Sequence, residues 1–442
     1  MFQKLRSLRD SMLEGFWFLP LIMVATTQAV VTPLLVFGLD PGAWLIEMGL
    51  PWLATGLLEA AKDISAPGMR AVLSVIAGGM ITLVSIVFSL SFVALTLTSQ
   101  QLGPRIIDYW LRANATQLLL GMSLSAFFAA LTGLLSLAVT EQAGRPVLLG
   151  GGLATILGAL ALVEAVLFAT SMSDAIRADV TVARLGDAFV AAVRTSCTRV
   201  STDVELSAAA ELADLARAEG RAIPARRAGY LSAADMTGIA AMARDRDLRV
   251  AMIARENDYL MPGRPVALVL GAADAAAEDV ADALDGRLTL TVRRRRTGMA
   301  DFEGDALTEV ALRALSPSMN DPFTAIACID RIGEGCVVLA SAGSPRRAWM
   351  AEGMAVAMAP GAGADWLFPR LLHPLIHAAE GQPLVLERLA ERAGDLRRVG
   401  LRHEDRASAS AVLDRVGRAA SRLTDTDDRA LVDLALAAAR DG

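Results

Sequence analysis

The chain has 442 residues, 54% of them hydrophobic, with 42 Lys and Arg against 48 Asp and Glu for a formal charge of −6. A net acidic balance gives no sign of nucleic-acid binding. The three widely spaced cysteines, Cys197, Cys328 and Cys336, do not form a disulfide framework and fit a reducing compartment. The hydrophobic excess falls before about residue 172, and the rest is rich in Arg, Asp and Ala, as in a soluble helical region.

Lys4, Arg6 and Arg9 precede an uncharged stretch from Gly15 to Leu39. It is too long for a signal-peptide core and has no obvious small-residue cleavage site, so a retained first span is predicted over about 16–37. Residues 41–66 mix Trp44, Trp52 and leucines with Glu47, Pro51 and Glu59. The uncharged part between the glutamates is too short to cross, which predicts an external amphipathic helix with its tryptophans among headgroups. Ala71 to Pro104 carries no charge at all. At about 1.5 Å per residue such a helix reaches roughly 50 Å, beyond the roughly 30 Å of a bilayer core. The second span is predicted over 72–99, the third over 116–139 and the fourth over 147–170. Lys4, Arg6, Arg9, Arg105, Arg112, Arg177 and Arg184 fall on one side, and Lys62, Arg70 and Arg145 on the other. This bias predicts cytoplasmic termini and a cytoplasmic 172–442 region.

Residues 172–225 read as a helical connector continuing the fourth span. Over 226–298, β-type runs (Ala228–Leu231, Leu248–Ala254, Val266–Leu270, Leu288–Arg293) alternate with helical ones (Ala233–Ala243, Ala275–Leu284). The order is βαββαβ, which predicts a ferredoxin-like α+β domain. A helical domain is expected over 299–442.

On the second span Ser74, Gly78, Thr82, Ser85, Ser89, Phe92, Thr96 and Gln100 share one helical face. Such a stripe serves helix packing, or it lines a pore in which hydroxyls replace part of an ion's hydration shell and Phe92 forms a hydrophobic constriction. Gly103-Pro104-Arg105 is a helix stop with a headgroup anchor, or a hinge. Glu164 is the one acid inside an apolar span, which points to an ion pair, with Arg105 as a partner, or to a place on an ion pathway. Ser316, Asn320, Asp321 and Thr324 cluster at a helix junction. Asp321-Pro322 fits a helix cap, and the cluster suits a subunit contact or an anion at the helix N-terminus. Arg293 to Arg296 reads as a solvated strand edge, or as a binder of anionic headgroups. His373, His377 and Glu380 have helical spacing, but Pro374 and the lack of a fourth ligand argue against a metal. Gly150-Gly151-Gly152 reads as close helix packing. No catalytic constellation or cofactor motif emerges.

Two segments carry a resemblance: Ser99-Gln100-Gln101-Leu102-Gly103-Pro104-Arg105, and Arg313 to Ala325 around Ser316-Pro317-Ser318-Met319-Asn320-Asp321-Pro322. With the four-span layout they resemble a bacterial family of predicted membrane proteins, domain of unknown function 2254. In that family a Phe usually stands where this chain has Leu102. The resemblance implies an architecture and no activity. The residues lead to the expectation of a homo-oligomeric inner-membrane ion channel, not an enzyme, with membrane lipid as its surroundings. A membrane-anchored regulator or scaffold is the alternative.

Overall fold

The computed structural model describes residues 17–36, 65–103, 114–140, 145–271, 277–292, 294 and 299–441. The predicted amphipathic segment 41–66 lies almost wholly outside the described residues. The chain divides into two units, residues 1–178 and 179–442, so the predicted boundary at 171/172 falls seven residues early.

Among the described residues the first unit holds four helices: α1 (Phe18–Val36), α2 (Ala66–Leu102), α3 (Asn114–Thr140) and α4 (Arg145–Ile176). The second, third and fourth predicted spans lie within α2, α3 and α4, and the first overlaps α1. Among the described residues three helices are long and apolar enough to cross a membrane, over Ala66–Gln100, Thr116–Ala138 and Gly151–Thr170, while the apolar part of α1, Phe18–Pro33, is shorter. The start of α2 is set by Ser65, whose Oγ accepts from the Gly68 N–H at 3.3 Å, and by a proline in the first turn. It stops at Gly103, whose φ of 110° a side chain would resist.

Inward faces follow the helical period. Met69, Leu73, Met80, Val84, Val87 and Ala94 of α2 are buried. Leu73 fits over Gly133 of α3, Met69 over Gly151 of α4, and Ile76 faces Gly158. Gly121 of α3 lets Pro20 and Met23 of α1 approach. Thr132 of α3 donates to Gln28 Oε1 at 3.2 Å, and Ser136 donates to the Leu35 carbonyl at 3.2 Å. These pairs rise together along α1 and α3, so the two helices run parallel. Leu73 beside Gly133 and the Arg70 guanidinium on the Leu137 carbonyl make α2 antiparallel to α3. The result is an up-down bundle with α3 the most enclosed.

The second unit opens with α5 (Ala178–Ser196) and α6 (Asp203–Glu219). Because α4 ends at Ile176, the connector is not one continuous extension of the fourth span. Thr202 and Glu205 form a reciprocal capping box on α6. Then follow β1 (Arg221–Pro224), β2 (Gly229–Ala234), α7 (Met236–Asp245), β3 (Arg249–Met252), β4 (Tyr259–Leu260), β5 (Pro265–Leu270), α8 (Ala277–Asp285) and β6 (Leu288–Thr291). Next come α9 (Ala300–Ala314), α10 (Pro322–Ala342), β7 (Ala348–Ala351), β8 (Met354–Met358), α11 (Ala364–Ala378), α12 (Pro383–Val399), α13 (His403–Ala420) and α14 (Thr426–Asp441).

The βαββαβ order is present, but the ferredoxin-like sheet is not. The strands form a five-stranded sheet, β1-β5-β3-β8-β7, and a separate three-stranded one, β4-β2-β6. A ferredoxin-like sheet would set β2 beside β5. Here β1 takes that edge of β5, antiparallel, with Ala222 opposite Leu268. The other side of β3 accepts β8 in parallel, with Val250 opposite Ala357. The predicted division at 298/299 therefore cuts through one hydrogen-bonded sheet, and the region predicted as helical contributes the β7–β8 hairpin. The faces of the five-stranded sheet are covered by α6 and α7, while α9 to α14 pack on one another as a helical layer in which Phe189 of α5 is fully buried against Gly304 and Gly335.

Candidate functional site

In α2 the polar stripe points away from its own bundle. Ser74, Gly78, Thr82, Ser85, Ser89, Thr96 and Gln100 are exposed, and Phe92 is 72% exposed. At 3.6 residues per turn the stripe centres about 160° round the helix from the buried face. It does not pack against the third or fourth helix. Hydroxyl groups that do face the bundle are others: Ser91 and Thr98 of α2 and Thr116, Ser123 and Ser125 of α3 are buried.

The stripe hydroxyls have a common geometry. Ser74, Thr82, Ser85 and Thr96 each donate to the carbonyl four residues earlier, at 2.8 to 2.9 Å. Their hydrogens are committed to the helix, and their oxygens keep acceptor lone pairs. Gly78 has open space where a Cβ would stand. The exposed surface of α4 differs: Ile156, Leu160, Leu162, Val163, Val166 and Leu167 make it mostly aliphatic.

Glu164 is half-exposed on α4, beside the buried positions Ala161 and Phe168. Ala161 shares a core cluster with Met80 and Ala126, so Glu164, one turn further along α4, lies near the level of the buried Ser123 and Ser125 of α3. It has no hydrogen bond or ion pair among the described residues. Gly103 ends α2, donating to the Ser99 carbonyl at 3.2 Å; Pro104 and Arg105 lie outside the described residues, and with them the proposed pair to Glu164. The packing expectation for Gly150-Gly151-Gly152 has a structural counterpart at Gly151, where a Cβ would meet the Met69 sulfur.

In the second unit, the junction before α10 is consumed by local structure. Asp321 accepts from the Thr324 N–H at 3.1 Å and from its hydroxyl at 2.6 Å. Ser316 donates to the Arg313 carbonyl at 2.6 Å, and Gln382, just before α12, donates to Asn320 Oδ1 at 2.9 Å. Asn320 has a φ of 46°, a left-handed turn that asparagine tolerates. The chain's own carboxylate thus occupies the helix N-terminus, where an anion would meet repulsion. Met319 and Phe323 are exposed beside this turn.

Arg294 departs from the expected solvated edge. Its guanidinium bridges Asp301 at 2.8 Å and Asp305 at 2.5 Å, with only 22% of its side chain exposed. Burial lowers its pKa, but the Asp305 and Asp301 contacts outweigh that and raise it. Arg370 of α11 also holds Asp305 at 2.9 Å. Arg293, Arg295 and Arg296 lie outside the described residues. His377 meets Glu380 at 3.3 Å, and Arg422 takes the same carboxylate. No group of three metal-ligating side chains occurs among the described residues.

Sequence reasoning missed a cavity of about 410 Å³ in this unit, lined by Arg255, Arg346, Trp349 and Trp366 among others. Its residues come from segments far apart in the chain, so spacing could not reveal it.

Residues 14–393 match the model of a family described as "Predicted membrane protein (DUF2254)". An uncharacterized protein of Mycobacterium bovis and one of Mycobacterium tuberculosis are each 25% identical over 356 residues, 78% of this chain. The match spans 64% of the length of those relatives. No solved structure matches the chain.

Proposed function

The chain belongs to the DUF2254 family of predicted membrane proteins, and we propose that it is a homo-oligomeric ion channel of the bacterial inner membrane with α2 lining the pore. One observation carries this reading: the exposed membrane surface is asymmetric. The α4 side is suited to lipid. The α2 side presents hydroxyls about 160° from its packing face, and polar surface in a membrane is best placed against water or another copy. Several copies around an axis would turn the stripe inward. With hydroxyl hydrogens held by the helix, the oxygens offer lone pairs to the lumen, which favours cations. A ring of Phe92 side chains would gate by dewetting.

In this reading α1 is a fourth span, supported by its parallel course beside α3 from Gly121 to Ser136. An even number of crossings and the basic bias then put both termini and the second unit in the cytoplasm, where it forms a regulatory vestibule. The protein has no catalytic role and no nucleic-acid partner here; its surroundings are lipid, ions and copies of itself. The second reading, a non-conducting regulator or scaffold, is favoured by the same hydroxyl bonds, since a self-bonded Ser or Thr is tolerable against lipid.

Cysteine accessibility separates the two. Ser85→Cys and Ile86→Cys, made in a Cys197→Ser background, sit side by side at exposed positions, one on the stripe and one off it. A membrane-impermeant thiol reagent should modify Ser85→Cys at least about tenfold faster. Equal protection of both would leave the stripe in lipid and overturn the channel.

A further inference from the structure

The cavity in the second unit has walls of three kinds. Met236, Met252 and Met299 give an adaptable apolar lining. Arg255 and Arg346 are its cations, and Glu256 and Asp301 its acids. Each arginine lies on an indole face: Arg255 at 4.3 Å from the Trp366 ring centre, Arg346 at 4.6 Å from that of Trp349. This stacking fixes the guanidinium planes and leaves their edges as donors. Neither forms an ion pair with a carboxylate among the described residues; Arg255 donates to the Gly361 carbonyl and Arg346 to that of Ala348. Burial lowers the pKa of Arg255, as do the charges of Arg347 and Arg370, against opposing pulls from Asp258 and Asp365. Burial and Arg199 lower that of Arg346, against an opposing pull from Glu205. Positive charge here is incompletely neutralised. The Trp349 Nε1–H is buried with no acceptor among the described residues.

We propose that this cavity binds a nucleoside phosphate. The phosphate would meet the edges of Arg255 and Arg346, the guanidinium forks suiting its oxygens. A flat base fits the space between the indole and methionine walls, which is of ordinary size for a small-molecule site. Asp301 accepts from Arg294 and from Asn257 at 3.3 Å, and its remaining lone pairs suit amino or hydroxyl hydrogens. An alkyl acid would satisfy the arginines but leave the carboxylate wall facing hydrocarbon; inorganic phosphate would leave the apolar walls unused. The site is independent of whether α2 conducts, and it would give the second unit a metabolite to sense.

The test is calorimetric titration of the full-length protein in detergent with the four common nucleoside monophosphates, adenosine, inorganic phosphate and decanoate. At least one monophosphate should bind about tenfold or more tightly than the other three probes. Arg346→Ala should weaken it about tenfold, with Arg346→Lys in between because it keeps the charge and loses the fork. The unchanged thermal melt of each variant would show that it is folded. Absence of monophosphate binding, equal affinity for decanoate or inorganic phosphate, or indifference to both substitutions would overturn the assignment.

Discussion

Asp305 is the node of the charge network beneath the cavity, and its removal gives a stability effect that follows from the geometry. Its carboxylate, 15% exposed, holds Arg294 at 2.5 Å and Arg370 at 2.9 Å. Asp305→Ala leaves Arg294 with Asp301 and deprives Arg370 of its one ion pair among the described residues. Arg370 then keeps only its stack on Trp366, at 5.0 Å from the ring centre. Breaking a buried pair costs about 3–5 kcal/mol. The arginines are 22% and 30% exposed, so solvent screening reduces this to about 2–3 kcal/mol. At about 2–4 °C per kcal/mol for large domains, the melting temperature of the second unit should fall by roughly 4–12 °C. Differential scanning fluorimetry of the detergent-solubilised protein reads this directly. Arg370→Met should cost less, since Asp305 retains Arg294. A melt within about 1 °C of wild type for Asp305→Ala, well under the shift expected for even 1 kcal/mol, would refute the idea that this network is structural.

Three further outcomes are expected. Gly335→Ala places a Cβ against the buried ring of Phe189, and overpacking of about 1–3 kcal/mol should outweigh the helix propensity gained from alanine; a stabilised variant would contradict the packing. Cys328 and Cys336 are buried, with thiol pKa values pushed far up by burial and by the charges of Asp321 and Asp405 respectively, and burial raises that of Cys197 above 9.0. A raised pKa means less thiolate at a given pH, so at pH 8 the folded protein should react at Cys197 alone, more slowly than a free cysteine. Burial and Arg415 hold the His373 imidazole below its ordinary pKa of 6.5. Just below pH 6.5 the unfolded chain then binds more protons than the folded one, so stability should fall as pH drops through that window; His373→Gln should flatten the decline in a melt series.

The membrane helices were legible because absence of charge is a local property. The second, third and fourth predicted spans lie within α2, α3 and α4 with ends extended by a few residues, and the phase of the Ser74 to Gln100 stripe was readable from the period alone. What faces the stripe was not: Ser91 and Thr98 carry the same side chains on the opposite side of the same helix. The runs at β2, β3, β5 and β6 read as strands and those at β1, β4, β7 and β8 do not; the short apolar runs at Leu248–Ala254 and Val266–Leu270 hold no information about a third partner, and β1 and β8 decided the sheet. Arg294 looked like a member of a solvated run until Asp301, Asp305 and the distant Arg370 were brought to it. The cavity needed six separate segments to meet.

Planar-bilayer recording of the purified protein beside Phe92→Ala tests the central claim most directly. A pore lined by α2 should give cation-selective unitary currents that grow or stay open longer when the exposed phenyl ring on the stripe is removed. Silence from both proteins, in preparations shown to be folded and oligomeric, would contradict it.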